Sequence, residues 1–394
     1  MTRIEVAPDS LFGPDNLPYG VFAPARGPYR VGVRLGASVI DLAAALDDPI
    51  FAAPSLNPFL AQGPQRWQEV RERVCGLAAA EIPDAAVHAL AEVTLKLPIE
   101  VADYVDFYAS LDHATNLGRL FRPDSEPLLP NWRHLPVGYH GRAGTVVVSG
   151  TDIVRPCGQR RSDSGTPDFG PSARLDIEAE LGFVVGVGSE LGRPIDIADF
   201  DAHVFGVALV NDWSARDIQA WEYQPLGPFL GKSFATSLSA WITPMAALAP
   251  ARIPLPAQTP DPLPYLRAAD PWGLDIALTV HWDGAAVAYP PYSRMYWSPA
   301  QMLAHLTANG AATRTGDLYA SGTISGPAPD ERGSFIELSW GGTEPVRVNG
   351  QKRTFLEDGD EIVLTASAPG PDRRRLGLGE VRGRIRPAHG APGR

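Results

Sequence analysis

The stretch Arg174-Leu-Asp-Ile-Glu-Ala-Glu-Leu-Gly-Phe-Val-Val-Gly-Val-Gly188 sets three acids, Asp176, Glu178 and Glu180, at two-residue spacing in an apolar run. In a strand, residues two apart share a face. Ile177, Ala179 and Leu181 then line one side and the acids the other. Neighbouring carboxylates repel, and burying them unpaired is costly. A hard divalent cation held by oxygen ligands would balance them. Two more acids could join from elsewhere. Asp106 lies in Asp103-Tyr-Val-Asp-Phe-Tyr108, and Asp212 ends the apolar run Phe205-Gly-Val-Ala-Leu-Val-Asn211. By pattern alone these two stand evenly between ligation and ordinary pairing or solvation, whereas Asp103 and Asp176 read as solvated or paired with Arg or Lys. All the candidate ligands are oxygens, with no Cys or His cluster, so Mg²⁺ or Ca²⁺ is expected over Zn²⁺.

A second set is basic and polar. Arg216, Gln219 and Tyr223 follow at three- and four-residue spacing, one face of a short helix. Such a trio can hold a carboxylate or a developing oxyanion; an ordinary amphipathic helix with a solvated Arg is the competing reading. Lys232 sits in Gly227-Pro-Phe-Leu-Gly-Lys-Ser-Phe-Ala-Thr236, a Gly-bounded loop without charged neighbours, which points to a partly buried cation near the acids.

Of eight histidines, His113 has the most suggestive setting, in Ser110-Leu-Asp-His-Ala-Thr-Asn116 just after Asp106 and Tyr108. A general base needs a neutral imidazole and an acid to orient it. Glu337, in an expected strand Ser334-Phe-Ile-Glu-Leu338, could be that acid if the fold joins them. His134 and His140 flank a turn. Gly186-Val-Gly-Ser-Glu-Leu-Gly192 has the wrong spacing for a dinucleotide loop, and no P-loop, GxSxG or HExxH occurs. Glu357-Asp-Gly-Asp-Glu361 reads as a hairpin-type turn.

The elements that must position these residues are mostly strands. Candidates are Gly144–Ser149, Ile177–Gly186, Val204–Asn211, Asp275–Trp282, Phe335–Trp340 and Glu361–Thr365, separated by Gly, Pro and Asp turns. Ser298-Pro-Ala-Gln301 opens a helix to Thr307 with a capping-box pattern. Residues 1–100 differ in texture. They hold short strands at Tyr29–Leu35 and Ser38–Leu42 and a helix from about Trp67 to Leu77, and read as a small separate domain without catalytic chemistry. Residues 101–394 read as a rolled or barrel-like, β-dominated domain.

Composition narrows the function classes. The 394 residues carry a net charge of −11, which argues against a nucleic-acid partner. The chain is 44% hydrophobic and 20% charged, hence globular, and its 39 Gly and 39 Pro favour turns and short strands over helices. Two cysteines without metal spacing suit a reducing compartment. With no stretch of eighteen apolar residues and no leader pattern at the N-terminus, no membrane association is expected and the location is expected to be cytoplasmic.

Longer segments carry a resemblance. Asp103–Tyr108, His113-Ala-Thr-Asn116, Leu129–Arg142 around Gly138-Tyr-His-Gly141, Leu175–Glu180, Asn211–Gln219, Pro225–Phe234, Ser321-Gly-Thr-Ile-Ser-Gly326 and Asn16–Phe22 together resemble the fumarylacetoacetate hydrolase family. The resemblance covers nearly the whole chain. It implies a mainly β (α+β) fold with an SH3-like N-terminal domain over 1–100 and a β-roll catalytic domain over 101–394. It implies Asp106, Glu178, Glu180 and Asp212 as ligands of Mg²⁺ or Ca²⁺, with Lys232 and Thr236 beside them. His113 would be the base, oriented by Glu337; Arg216, Gln219 and Lys232 would meet the oxyanion. Tyr108, Arg122, Tyr139, Gln219, Tyr223 and Thr323 would bind substrate. The implied reaction is metal-dependent hydrolysis of a carbon–carbon bond in a small diketo acid, 4-fumarylacetoacetate, giving fumarate and acetoacetate at the end of tyrosine and phenylalanine degradation. A homodimer is implied as well. The competing activities are those of shorter relatives, acylpyruvase or oxaloacetate decarboxylase; a non-catalytic, cation-stabilised binding protein is the alternative from another class.

Overall fold

A computed structural model describes residues 1–162 and 165–390. Its main feature is a 13-stranded sheet whose central strands are Ala179–Val185 and Val204–Asp212. Every residue of these two strands is buried, as expected for apolar runs covered on both faces. They pair antiparallel, with Ala179 opposite Asn211 and Glu180 opposite Val210. On one side Ala179–Val185 pairs with Leu318–Ala320, which pairs in parallel with Tyr104–Phe107. On the other, Val204–Asp212 pairs with Thr236–Leu238, so Thr236 lies opposite Asp212. The mainly β expectation holds, although no closed barrel forms among the described residues.

A five-stranded sheet packs across the core, its longest strands Glu361–Pro369 and Arg375–Arg386. Burial alternates along Glu361–Pro369, the pattern of a strand with one face inward. Trp282 on this sheet stacks on Phe335 with ring centroids 4.3 Å apart. That contact seats the short segment Phe335–Leu338, which carries Glu337, against the core.

The N-terminal strands extend the main sheet: Tyr19–Ala23 pairs with Trp241–Pro244. Gly20 permits the approach, since a Cβ there would lie 2.7 Å from the Ala240 carbonyl oxygen. The helix Pro64–Ala79 buries Trp67, Val70 and Val74, and Trp67 meets Phe205 of the central strand Val204–Asp212 edge-on at 5.4 Å. The helix Pro299–Thr307 has the expected capping box between Ser298 and Gln301.

Two expectations need correction. Phe335–Leu338 is one helical turn, not a strand. Four apolar-flanked residues cannot distinguish the two periods, and the turn is chosen because the Phe335 and Ile336 amides reach the buried carboxylate of Asp176. The segment 357–361 is a turn, with Gly359 at φ +96°, yet it joins no hairpin; the strands on either side, Gln351–Arg353 and Glu361–Pro369, lie in different sheets.

Candidate active site

Three strands of the main sheet deliver acids to one point. Asp106 comes from Tyr104–Phe107, Glu180 from Ala179–Val185 and Asp212 from the end of Val204–Asp212. Glu178 lies one residue before its strand, in the break after Leu175–Asp176. One carboxylate oxygen from each of the four lies within 4.8 Å of the others, and all four residues are buried.

The cluster is only partly neutralised by the protein. Lys232 Nζ donates to Asp212 at 2.7 Å and to Glu178, and Thr236 Oγ1 donates to Asp212 at 3.0 Å. Tyr139 donates its hydroxyl to Asp212 at 3.1 Å. The Gly322 amide donates to one oxygen of Glu180 at 3.2 Å; Gly322 has φ +74°, and a Cβ there would meet the Phe107 carbonyl oxygen at 2.1 Å. Asp106 Oδ1 and Glu180 Oε1 are buried without a donor among the described residues. Desolvation, then repulsion from neighbouring acids, pushes the Asp106 and Glu180 carboxyls well above the usual range. Glu178 goes the other way: burial alone would raise it, but Lys232 and Arg216 together hold it below. Two donor-free carboxylate oxygens in an all-oxygen cluster fit a hard divalent cation.

Beside the cluster lies a buried acid–base pair. His113, near the start of the helix Leu111–Phe121, meets Glu337 Oε2 through Nδ1 at 2.7 Å. Ser325 and Ser334 also donate to that oxygen, and Asn116 Nδ2 donates to Oε1 at 2.9 Å. Burial would raise the Glu337 carboxyl, but His113 and these donors lower it on balance. Asn116, Ser325 and Ser334 were not singled out by the sequence reading. Asn116 is three residues from His113 and Ser334 three before Glu337, so helical spacing is the signal for both.

The basic trio forms only in part. Arg216 and Gln219 lie on the helix Arg216–Glu222, with Arg216 Nη1 3.1 Å from Gln219 Oε1. Tyr223 caps that helix and is 38% exposed, so it stands at the rim. Arg216 is buried between Asp176 and Glu178, each at 2.8 Å, and its Nη2 has no partner among the described residues. Burial opposes its charge, yet the two acids hold it firmly protonated.

The remaining expected residues ring this centre. Tyr108 packs edge-on to His113 at 5.2 Å. Thr323 is buried with an unpartnered hydroxyl. Tyr139 and Lys232 line a small cavity of about 150 Å³ with Tyr104 and Phe229. Arg122 lines a separate cleft of about 720 Å³ with Arg133 and His134. A 670 Å³ apolar cavity between Trp67 and Met245 contains none of these groups. Asp103 is exposed and caps its own strand.

The surroundings suit addition of water to a carbonyl: an oriented imidazole, a guanidinium with a spare donor, and a place for a Lewis acid. Comparison with known proteins agrees. Residues 103–386 match the family described as fumarylacetoacetate (FAA) hydrolase C-terminal, and residues 15–98 match fumarylacetoacetase N-terminal. Fumarylacetoacetases of Rattus norvegicus and Homo sapiens are each 46% identical over 98% of this chain and 99% of their own. That of Oryza sativa is 44% identical over 98% of this chain and 97% of its own. Among solved structures, a fumarylacetoacetate hydrolase of Exiguobacterium antarcticum superposes with a TM-score of 0.58 at 17% identity, covering 95% of this chain and 100% of that one. A maleylpyruvate hydrolase of Sphingobium reaches 0.55 at 17% identity, covering 94% and 100%; at these identities the likeness is of fold. The chain belongs to the fumarylacetoacetate hydrolase family.

Proposed function

We propose that the chain hydrolyses 4-fumarylacetoacetate to fumarate and acetoacetate, closing tyrosine and phenylalanine degradation. The supporting observation is the junction of the His113–Glu337 pair, Arg216 with its free Nη2, and four buried carboxylates within a chain that full-length fumarylacetoacetases match. Glu337 holds Nδ1–H of His113, which leaves Nε2 to accept a proton from water. The water oxygen bonds to the ketone carbon of the fumaroyl part. Arg216, Gln219 and Lys232 receive the oxyanion. Collapse breaks the carbon–carbon bond, and the departing carbon takes a proton as acetoacetate forms.

Asp106, Glu178, Glu180 and Asp212 would hold a divalent cation, with Lys232 and Thr236 adjacent. When bound, Mg²⁺ or Ca²⁺ would supply Lewis-acid stabilisation of negative charge on the substrate oxygens. Tyr108, Arg122, Tyr139, Gln219, Tyr223 and Thr323 would bind and orient the substrate. Residues 1–100 are read as an SH3-like domain and 101–394 as the catalytic metal-binding β-roll domain, in a cytoplasmic homodimer. Among the described residues, no helix is long and apolar enough to cross a membrane. Loss of fumarylacetoacetate absorbance, measured beside oxaloacetate decarboxylation, tests the reading. Turnover of the diketo acid is expected; turnover of oxaloacetate alone would overturn it.

A further inference from the structure

Asp176 holds together two parts of the site that otherwise lie on separate elements. It is fully buried at the end of Leu175–Asp176, a strand that pairs with Ser214–Ala215 just before Arg216. Its Oδ2 accepts from Arg216 Nε at 2.8 Å and from the Ile336 amide at 3.0 Å. Its Oδ1 accepts from the Ile177 and Phe335 amides, both at 2.7 Å. Phe335 and Ile336 open the turn that carries Glu337, and Ile177 precedes Glu178. Burial raises the carboxyl, yet all four neighbours are donors, and the ionised form is the one that accepts from all of them.

We propose that Asp176 is a positioning residue that fixes the oxyanion arginine and the acid orienting His113 in one frame. The inference rests on the roles given above to Arg216 and Glu337. Among the described residues, the acidic partners of Arg216 are Asp176 and Glu178. Without the charge at 176, the guanidinium is drawn toward Glu178 alone and its free Nη2 is re-aimed. The same loss removes the acceptor of the Phe335 and Ile336 amides, so the turn bearing Glu337 shifts under His113. A buried ion pair that serves stability alone would couple to neither group.

The test uses the full-length, metal-loaded enzyme and Asp176→Asn, with folding checked by circular dichroism and metal content by direct binding. The amide of Asn places a donor against a donor at the Oδ2 position. We expect kcat to fall by about 10²–10³-fold, the cost of losing one oxyanion donor, with KM changed only a few-fold. Asp176→Asn added to Arg216→Gln should cost less than the product of the two single losses, the remainder being its effect through the turn that carries Glu337. Folded, loaded Asp176→Asn with wild-type kcat, or simple additivity in that pair, would overturn the proposal. If Asp176→Asn does not fold, Asp176→Glu keeps the charge and displaces it by one methylene. The same losses are expected from it, and wild-type values overturn the proposal. A wild-type chain inert toward fumarylacetoacetate refutes the functional reading instead. The positional claim is then read from the crystal structure of Asp176→Asn, in which the Arg216 guanidinium and the turn carrying Glu337 should be displaced; both left in their wild-type places would contradict it.

Discussion

The carboxylate cluster and the His113–Glu337 pair are both buried, yet they are completed in opposite ways. Glu337 has both oxygens satisfied, by His113, Ser325, Ser334 and Asn116. The cluster leaves Asp106 Oδ1 and Glu180 Oε1 with no donor, and burial drives their carboxyls upward. A finished network is pre-organised by the fold itself. An unfinished one, at this cost in desolvation, could bind a metal ion. The first should depend on side-chain geometry and the second on what is added to the solution.

The sharpest break in this contrast is expected from His113→Ala. Loss of a general base lowers turnover by about 10²–10⁴-fold, while divalent-metal affinity, measured by calorimetry, should stay near wild type. A large loss of metal affinity would mean the two regions are one. Next, Ser334→Ala removes one donor from the charged Glu337. Hydrogen bonds to charged groups contribute about 1.5–3 kcal/mol, and thermal unfolding of metal-free protein should show a loss in that range. An unchanged midpoint would mean the network is not needed to hold the buried acid.

On the cluster side, Glu180→Gln should act through metal binding. Loss of an outer-shell partner alone weakens metal affinity by about 10–100-fold, and a lost ligand oxygen should do at least as much. Turnover at saturating metal should recover more than turnover at limiting metal. Equal losses at both would place Glu180 outside the metal site. The smallest effect is one of pH. Glu337 is held below its ordinary value of 4.5. A depressed acid contributes stability that is complete above the unfolded value and is lost as pH falls through the folded one. Stability of the wild type should therefore decline below about pH 4.5 more steeply than that of Glu337→Gln, and parallel declines would contradict the assignment.

Much of this contrast was legible before any fold was known, and the limits follow from range. The spacing of Glu178 and Glu180 placed both acids together because a strand period is local. The strand is interrupted between Asp176 and Ala179, but both side chains still reach the cluster. The capping box at Ser298 was legible for the same reason. Asp106 and Asp212 stayed even by pattern because they reach Glu180 through neighbouring strands, and strand order is not written in a window of ten residues. Glu337 was read on a strand and stands on a helical turn, because the carboxylate that shapes it, Asp176, is 159 residues away from Phe335. Asp176 itself was read as paired or solvated; it is paired, and the partners that give it wider meaning come from two distant segments.

The central claim is that the unfinished cluster is a metal site on which hydrolysis depends. Fumarylacetoacetate hydrolysis should be followed after exhaustive chelation and during back-titration with Mg²⁺ or Ca²⁺. Activity is expected to vanish on chelation and to return in proportion to occupancy of one high-affinity site per chain. Full activity in protein shown to be free of metal would contradict the claim.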